Sequence, residues 1–539
     1  MIISIKFILS FKKIKDVIFM SKEENRGQWG SRSGFILAAI GSAIGLGNIW
    51  RFPYVAASNG GGAFLIPYLV ALFTAGIPLL ILEFAMGHKI RSSAPGVFAK
   101  LNKKYEAIGW FQTLIAFFIT TYYVVIIAWS FSYLFFAFTG AWGTDPKAFL
   151  FGEYLKLGDA PSTLGNLGAS LGGLNLKVAL PLLLVWGVNY SVLRMGVKNG
   201  LEKANKIFMP LLIMALFVIV IRGVTLPGAM DGLDYFFSPD FSKLTDPQVW
   251  LAAYGQIFFS LSICFAIMYA YASYLPKKSD IVNNAFMTGL GNCSFSLISG
   301  IGVFSILGFM AHTQGVSVAE VSTAGVGLAF IVFPEAINQL PGMNGLIGGI
   351  FFVTLIFAGL SSSMSIMEAV VAAISDKFKL TRVQALNRFA LTSGILSLLV
   401  ATNGGLYVLD IVDYATNQYG IVIAGILELV ILGWFFNLES VRTYVNELSD
   451  FRVGKWWIWA IKGTSVLLVI ILALKIKGEI AAPYEGYSWT ALGVYGLGVM
   501  LIITAGSFIL AKRKGSQEFE DKIYSEPMNN ELELDLDLD

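Results

Sequence analysis

The chain has 539 residues, 56% of them hydrophobic and only 14% charged, with a net charge of +3. A water-soluble domain carries about 25% charged residues, so much of this surface has to face lipid instead of water. Two cysteines (Cys264, Cys293) and two well-separated histidines (His88, His312) do not read as a disulfide framework or a transition-metal centre, and no basic cluster with interleaved aromatics points to nucleic acid.

The chain opens with an apolar stretch, Ile2 to Leu9, followed by Lys12, Lys13 and Lys15. A secretory signal has the charges first, so Met20 is the more ordinary start and residues 1–33 read as an N-terminal segment. Stretches long enough to cross a bilayer are predicted at 34–58, 62–87, 108–139, 177–193, 199–222, 248–275, 285–311, 344–375, 384–401, 406–436, 456–476 and 488–511. These twelve are spans 1 to 12. Lys and Arg collect in alternate loops, including Lys89, Arg91, Lys100, Lys103 and Lys104 after span 2 and Lys377, Lys379, Arg382 and Arg388 around the span 8–9 turn. By the positive-inside rule both termini are expected on the cytoplasmic side. The loop 312–343, with Pro334 and Pro341, is apolar enough to fold back onto the protein. The polar tail 512–539 is expected to be disordered.

Two spans carry signs of interruption. Span 1 contains Gly41-Ser42-Ala43-Ile44-Gly45-Leu46-Gly47-Asn48. Each interior glycine costs about 1 kcal/mol relative to alanine. Such a run can serve close helix packing, but with Asn48 and Arg51 following it favours local unwinding. Span 6 contains Ser260-Leu261-Ser262-Ile263-Cys264-Phe265 followed by small residues. Unwound backbone is tolerated in a membrane only where it is buried in protein or lines a cavity, and its freed carbonyls can then hold a cation. Spans 1 and 6 are five apart, which suggests two inverted five-span halves, 34–222 and 248–436, followed by the helix pair 456–511. Glu83, Glu368 and Glu428 are intramembrane acids and functional candidates for that reason. No nucleophile–base pair or phosphate-binding loop is visible, so an enzyme is not expected.

Several strings resemble signatures of the neurotransmitter:sodium symporter family, most closely its bacterial sodium-coupled hydrophobic amino-acid members. They are GSAIGLGNIWRFPYVAASNGGGAFLIPY (41–68), ILEFAMG (81–87), TYY (121–123), GQIFFSLS (255–262), FAGLSSS (357–363) and LDIVD (409–413). The resemblance implies an all-α membrane protein of twelve helices with the leucine-transporter fold, helices 1 and 6 unwound at mid-depth. It implies sodium-coupled symport of a neutral, hydrophobic or aromatic amino acid into the cell by alternating access across a plasma membrane, with a sodium symporter of amines or other small zwitterions as the alternative reading and a channel or receptor on the same scaffold as a remote one.

The resemblance also implies site residues. A first sodium site would use Ala43, Asn48, Ser260 and Asn292 with the substrate carboxylate. A second would use Gly41, Ile44, Ala358, Ser361 and Ser362. These are oxygen ligands without a protein carboxylate, which suits a monovalent cation. Substrate would lie against Ala43, Leu46, Gly47, Ile119, Tyr123, Phe259, Ser260, Ser262, Phe265, Ser362 and Ile366. Gly45 stands where biogenic-amine members carry Asp, which favours a neutral amino acid with its own carboxylate. Tyr68, Gln256, Ser260, Asn292 and Ser296 match a chloride cradle, with nearby Glu83 as an alternative source of negative charge. Arg51 and Asp413 would gate one side, with Tyr123 and Phe259 as a lid. Arg26 and Asp376 would gate the other, with Trp29, Ser273 and Tyr274. Gly200 to Pro210 resembles a Gly-X9-Pro element linked to unwinding of span 5.

Overall fold

The computed structural model describes residues 27–524 apart from 165, 324 and 379. The alternative start at Met20, the gate residue Arg26, Lys379 and the tail beyond residue 524 therefore lie outside the described residues. Among those described, ten helices are long and apolar enough to cross a membrane, and one bent pair makes an eleventh. Span 1 is that pair, α1 (Arg32–Ala43) and α2 (Leu46–Ser58), which meet at 57°. Then come α3 (Gly62–Ile90), a short α4 (Ala94–Leu101), α5 (Lys103–Thr139), α6 (Leu176–Arg194), α7 (Val197–Val224) and α8 (Ala229–Phe237). The predicted span 6 is divided into α9 (Pro247–Ser260) and α10 (Ile267–Ala272), too short to be counted as single crossings. The chain continues through α11 (Ile281–Gln314), α12 (Asn344–Lys377), α13 (Arg382–Val400), α14 (Gly405–Phe435), α15 (Leu438–Leu448), α16 (Trp456–Gly486), α17 (Trp489–Lys512) and α18 (Gln517–Tyr524).

The helices sort by surroundings. Spans 1, 2, 3, 6, 7 and 8 supply most of the core, with Phe35, Leu80, Ile115, Tyr269, Phe304 and Met364 fully buried. The most extensive helix–helix contact is between α5 and α12. Spans 4, 5, 9, 11 and 12 turn Leu183, Met214, Leu391, Trp459 and Leu501 outward, which places an apolar belt where lipid would sit. The apolar loop 312–343 does fold back: Leu328, Ala329, Phe330 and Phe333 are buried, and Phe330 packs against Trp50, Trp129 and Tyr133.

One sequence expectation changes here. The tail starts as a docked helix, α18, and is not disordered up to residue 524. Its apolar Phe519 and Ile523, four apart and so on one face, are buried. Tyr524 donates to Glu106 Oε2 at 2.5 Å, and Glu106 Oε1 also accepts from buried Lys377 Nζ at 2.5 Å and from Trp110 Nε1 at 2.9 Å. Desolvation, with the Glu106 carboxylate alongside, pushes the Tyr524 hydroxyl pKa above its usual value. Polar composition concealed this helix because two apolar residues and one tyrosine carry the docking.

Candidate functional site

The break in span 1 covers Ile44 and Gly45, both in extended conformation. Hydrogen bonds identify the carbonyls that it frees. In a continuous helix Gly41 O would accept from Gly45 N–H. Here Gly45 N–H donates to Asn48 Oδ1 at 3.0 Å. Asn48 N–H turns to Gly45 O at 3.2 Å, which leaves Ile44 O without its helical donor. Ala43 O receives no backbone donor from Gly47. The intervening Ser42 O is taken by the Ser262 hydroxyl at 2.9 Å. The carbonyls of Gly41, Ala43 and Ile44 are thus left without their helical donors. At the start of α2 the Leu46 N–H is only 3.4 Å from the Tyr123 hydroxyl, and the Leu46 and Gly47 amides sit at the positive end of the helix dipole.

The break in span 6 runs from Leu261 to Ala266. Ser262, Cys264 and Ala266 all have positive φ, at 55°, 66° and 71°. Each non-glycine residue in this region costs about 1–2 kcal/mol, so tertiary contacts have to hold the break open. Two of these contacts are Ser262 Oγ to Ser42 O and Cys264 N–H to Glu83 Oε1 at 2.7 Å.

Between the breaks lies a polar cluster. Asn48 Nδ2 is 2.8 Å from both Asn292 Oδ1 and Ser296 Oγ, and Asn292 Nδ2 is 2.5 Å from Ser260 Oγ. The Asn292 amide atom facing Asn48 also lies 3.1 Å from Ala43 O and 3.3 Å from Ser260 O. As nitrogen, that atom would donate to the two carbonyls. As oxygen, with a cation present, it would make three oxygens converge on one face, which suits a small hard cation. All four predicted residues, Ala43, Asn48, Ser260 and Asn292, are therefore together.

The second predicted ion set is partly assembled. Gly41 packs on Ser361, and a Cβ added there would be 3.3 Å from the Ser361 Cβ and 2.5 Å from Asn205 Oδ1. The Ser361 hydroxyl donates to Ala358 O at 3.1 Å. Ser362, by contrast, faces Gly45: a Cβ on Gly45 would lie 3.1 Å from the Tyr123 hydroxyl and 3.5 Å from Ser362 Oγ. Gly45, Tyr123 and Phe259 are only half-buried although they lie at the centre of the bundle, while Ile119, Phe265 and Ile366 are buried.

The predicted chloride cradle is a donor-rich, fully buried group. Tyr68 Oη and both terminal atoms of Gln256 have no hydrogen-bond partner among the described residues, and Ser260 and Ser296 lie beside Tyr68. The Tyr68 hydroxyl and the Gln256 amide nitrogen are buried donors that an anion could satisfy. Glu83 does not belong to this cluster; it contacts Cys264 and Glu428 instead.

The gates differ from each other. On the face carrying the N-terminus, Trp29 is buried; its indole donates to Tyr271 O at 2.8 Å and its amide to Tyr274 O at 3.1 Å. Asp376 Oδ2 accepts from Ser93 N–H at 2.8 Å, at the start of α4. On the other face no ion pair joins Arg51 and Asp413 among the described residues. The guanidinium lies 4.5 Å from the Phe259 ring centre, and Asp413 Oδ1 accepts from Asn417 Nδ2 at 2.7 Å. The reason is local: the aromatic face and the amide satisfy each charge separately.

Sequence reasoning named the intramembrane acids without their partners. Glu368 is clamped by both Arg382 nitrogens, at 2.6 and 2.5 Å, and by the Tyr274 hydroxyl at 2.7 Å. Glu428 Oε2 accepts from Gln112 Nε2 at 2.6 Å. Neither Gln112 nor Tyr269 gave a signal in the sequence, because a lone polar group in an apolar helix does not reveal which helix it faces.

This architecture, an all-helical membrane bundle with two broken crossings facing one oxygen-rich centre, is that of a secondary transporter. The model of the sodium:neurotransmitter symporter family matches residues 26–153 and 147–513, and the chain belongs to that family. It is 44% identical over 490 residues to an uncharacterized sodium-dependent transporter of Methanocaldococcus jannaschii, covering 91% of this chain and 98% of the relative. It is 33% identical over 474 residues to the sodium- and chloride-dependent GABA transporter 2 of Homo sapiens, covering 81% and 78%. The protein is a sodium-dependent transporter and not an enzyme.

Proposed function

We propose that the protein carries a neutral, hydrophobic or aromatic amino acid into the cell with two sodium ions. One observation carries this reading. The Leu46 amide, held only by a 3.4 Å contact to the Tyr123 hydroxyl, and the neighbouring Gly47 amide suit a carboxylate, and Ala43 O, just before them in the chain, lies 3.1 Å from the Asn292 amide that also faces Ser260. A substrate carboxylate held there would complete the coordination of the first sodium, so each ligand improves the site of the other. Gly41, Ile44, Ala358 and Ser361 would hold the second ion, with Ser362 able to reach it by rotating away from Tyr123. The side chain would rest against Ile119, Phe259, Phe265 and Ile366, with Ser262 and Ser362 at its edge.

Each sodium ion moving down a tenfold gradient releases about 1.4 kcal/mol, and a 100 mV potential adds about 2.3 kcal/mol per charge. Two ions then supply about 7 kcal/mol, enough to concentrate a neutral solute by about 10⁵-fold. Rocking of spans 1, 2, 6 and 7 would alternate access. The buried Trp29 on the N-terminal face, together with the unpaired Arg51 and Asp413, matches a state closed on the cytoplasmic side, with both termini cytoplasmic and the protein in the plasma membrane. The unpartnered Tyr68 and Gln256 favour chloride in the cradle formed with Ser260, Asn292 and Ser296.

The second reading is a γ-amino acid or amine substrate, favoured by the relatives whose names specify GABA. A competition panel of neutral amino acids, GABA and monoamines against sodium-driven uptake in proteoliposomes separates the two. Inhibition by aliphatic or aromatic α-amino acids supports the first reading, and inhibition by GABA or monoamines alone overturns it. Equal uptake in gluconate and chloride buffers would remove the chloride assignment.

A further inference from the structure

A second polar centre lies at the span 6 break, on residues other than the predicted sodium ligands. Glu83 from α3, Cys264 from the break and Glu428 from α14 are fully buried, and one oxygen or sulfur atom of each lies within 4.8 Å of the others. No Lys, Arg or His among the described residues pairs with either acid. The groups facing the pair are Cys264 and Tyr269 from span 6 and Gln112 from α5. Two carboxylates this close in an apolar interior cannot both remain charged without a cation.

Counting hydrogens identifies the missing partner. Glu83 Oε1 accepts from the Cys264 amide, and Glu428 Oε2 accepts from Gln112 Nε2. The remaining oxygen of each acid, Glu83 Oε2 and Glu428 Oε1, has no partner. The Tyr269 hydroxyl facing Glu428 can donate to one of these oxygens but offsets no charge, so one proton is still needed between the two acids. The surroundings also anticipate a charge that comes and goes. The Tyr269 hydroxyl faces Glu428 but has no settled hydrogen bond, and Gln112 Oε1 is likewise unpartnered, both fully buried.

We propose that Glu83 and Glu428 hold a single proton between them while the span 6 break is formed, and that a second proton is gained and lost as the break changes shape. The coupling is mechanical. Cys264, at φ 66°, donates its amide to Glu83, so any motion that rewinds the break removes a hydrogen bond that stabilises the ionised form. The pair, already sharing one proton, would then draw a second, and the reformed break would release it. Protons therefore join the sodium cycle through a site separate from the sodium ligands.

The test is infrared difference spectroscopy on the purified protein with and without sodium and substrate, which reads the pair directly and does not depend on which substrate is carried. A protonated-carboxyl band that shifts in deuterium oxide, changes with sodium and is lost in Glu83→Gln and in Glu428→Gln supports the proposal. In proteoliposomes the wild type should show about a fivefold change in uptake between mildly acidic and alkaline pH, flattened to less than about twofold in either variant. Glutamine supplies a hydrogen in the same place, so these variants keep the packing. Absence of the carboxyl band from wild type would overturn the proposal, and with lowered sodium affinity in both variants it would assign the centre to an alkali ion.

Discussion

The two helix breaks face each other but are stabilised differently. The one in span 1 is two residues long, stays in ordinary extended conformation and is capped from its own chain by Asn48. The one in span 6 is six residues long, contains no glycine and sets three residues in left-handed conformation. The first is encoded locally. The second is imposed by neighbours, chiefly Ser42 and Glu83. A locally encoded break provides a fixed set of oxygens, whereas an imposed one can shift when its neighbours do, which suits the moving half of a transporter.

The largest expected effect comes from removing the cap of the first break. Asn48→Leu loses partners at Gly45, Asn292 and Ser296 and should reduce sodium-driven uptake by about 100-fold or more, with a stability loss of about 2–3 kcal/mol in thermal unfolding. Near-normal uptake would show that the span 1 break does not depend on Asn48. Gly47→Ala is next. Its new Cβ would sit 2.3 Å from Phe259 Cε1, and displacing the ring that carries Arg51 should lower uptake by about tenfold, read as a loss of substrate affinity. Gly45→Asp should impair amino-acid uptake by a similar factor of about ten, because the carboxylate would occupy the space beside Tyr123. An unaffected rate would remove the argument that Gly45 selects against amines. The smallest effect sharpens the comparison: Ala266→Gly relieves a positive φ and should stabilise the protein by about 1 kcal/mol, seen as a raised unfolding temperature. An unchanged or lowered midpoint would mean that the second break is not strained.

The legible and hidden parts of the molecule divide along the same line. Hydropathy placed the crossings because lipid demands long apolar runs whatever the fold. Gly41, Gly45, Gly47 and Asn48 advertised the first break through backbone chemistry alone. The second break was suggested by its serines, but its left-handed residues were not readable, since nothing in Cys264 or Ala266 encodes positive φ. The partners Arg382 for Glu368 and Glu428 for Glu83 lie far along the chain, and only tertiary packing brings them together. The Arg51 guanidinium rests on Phe259 instead of pairing with Asp413, a choice made by the local geometry of two side chains.

The central claim is that carbonyls released at the two breaks bind sodium together with the substrate. It is tested most directly by equilibrium binding of the amino acid identified in the competition panel to purified protein, titrated with sodium against a constant total of sodium plus potassium. The account predicts cooperative dependence on sodium, negligible binding in potassium alone, and loss of the dependence in Asn292→Leu. Equal binding in potassium, or sodium dependence that survives that substitution, would contradict it.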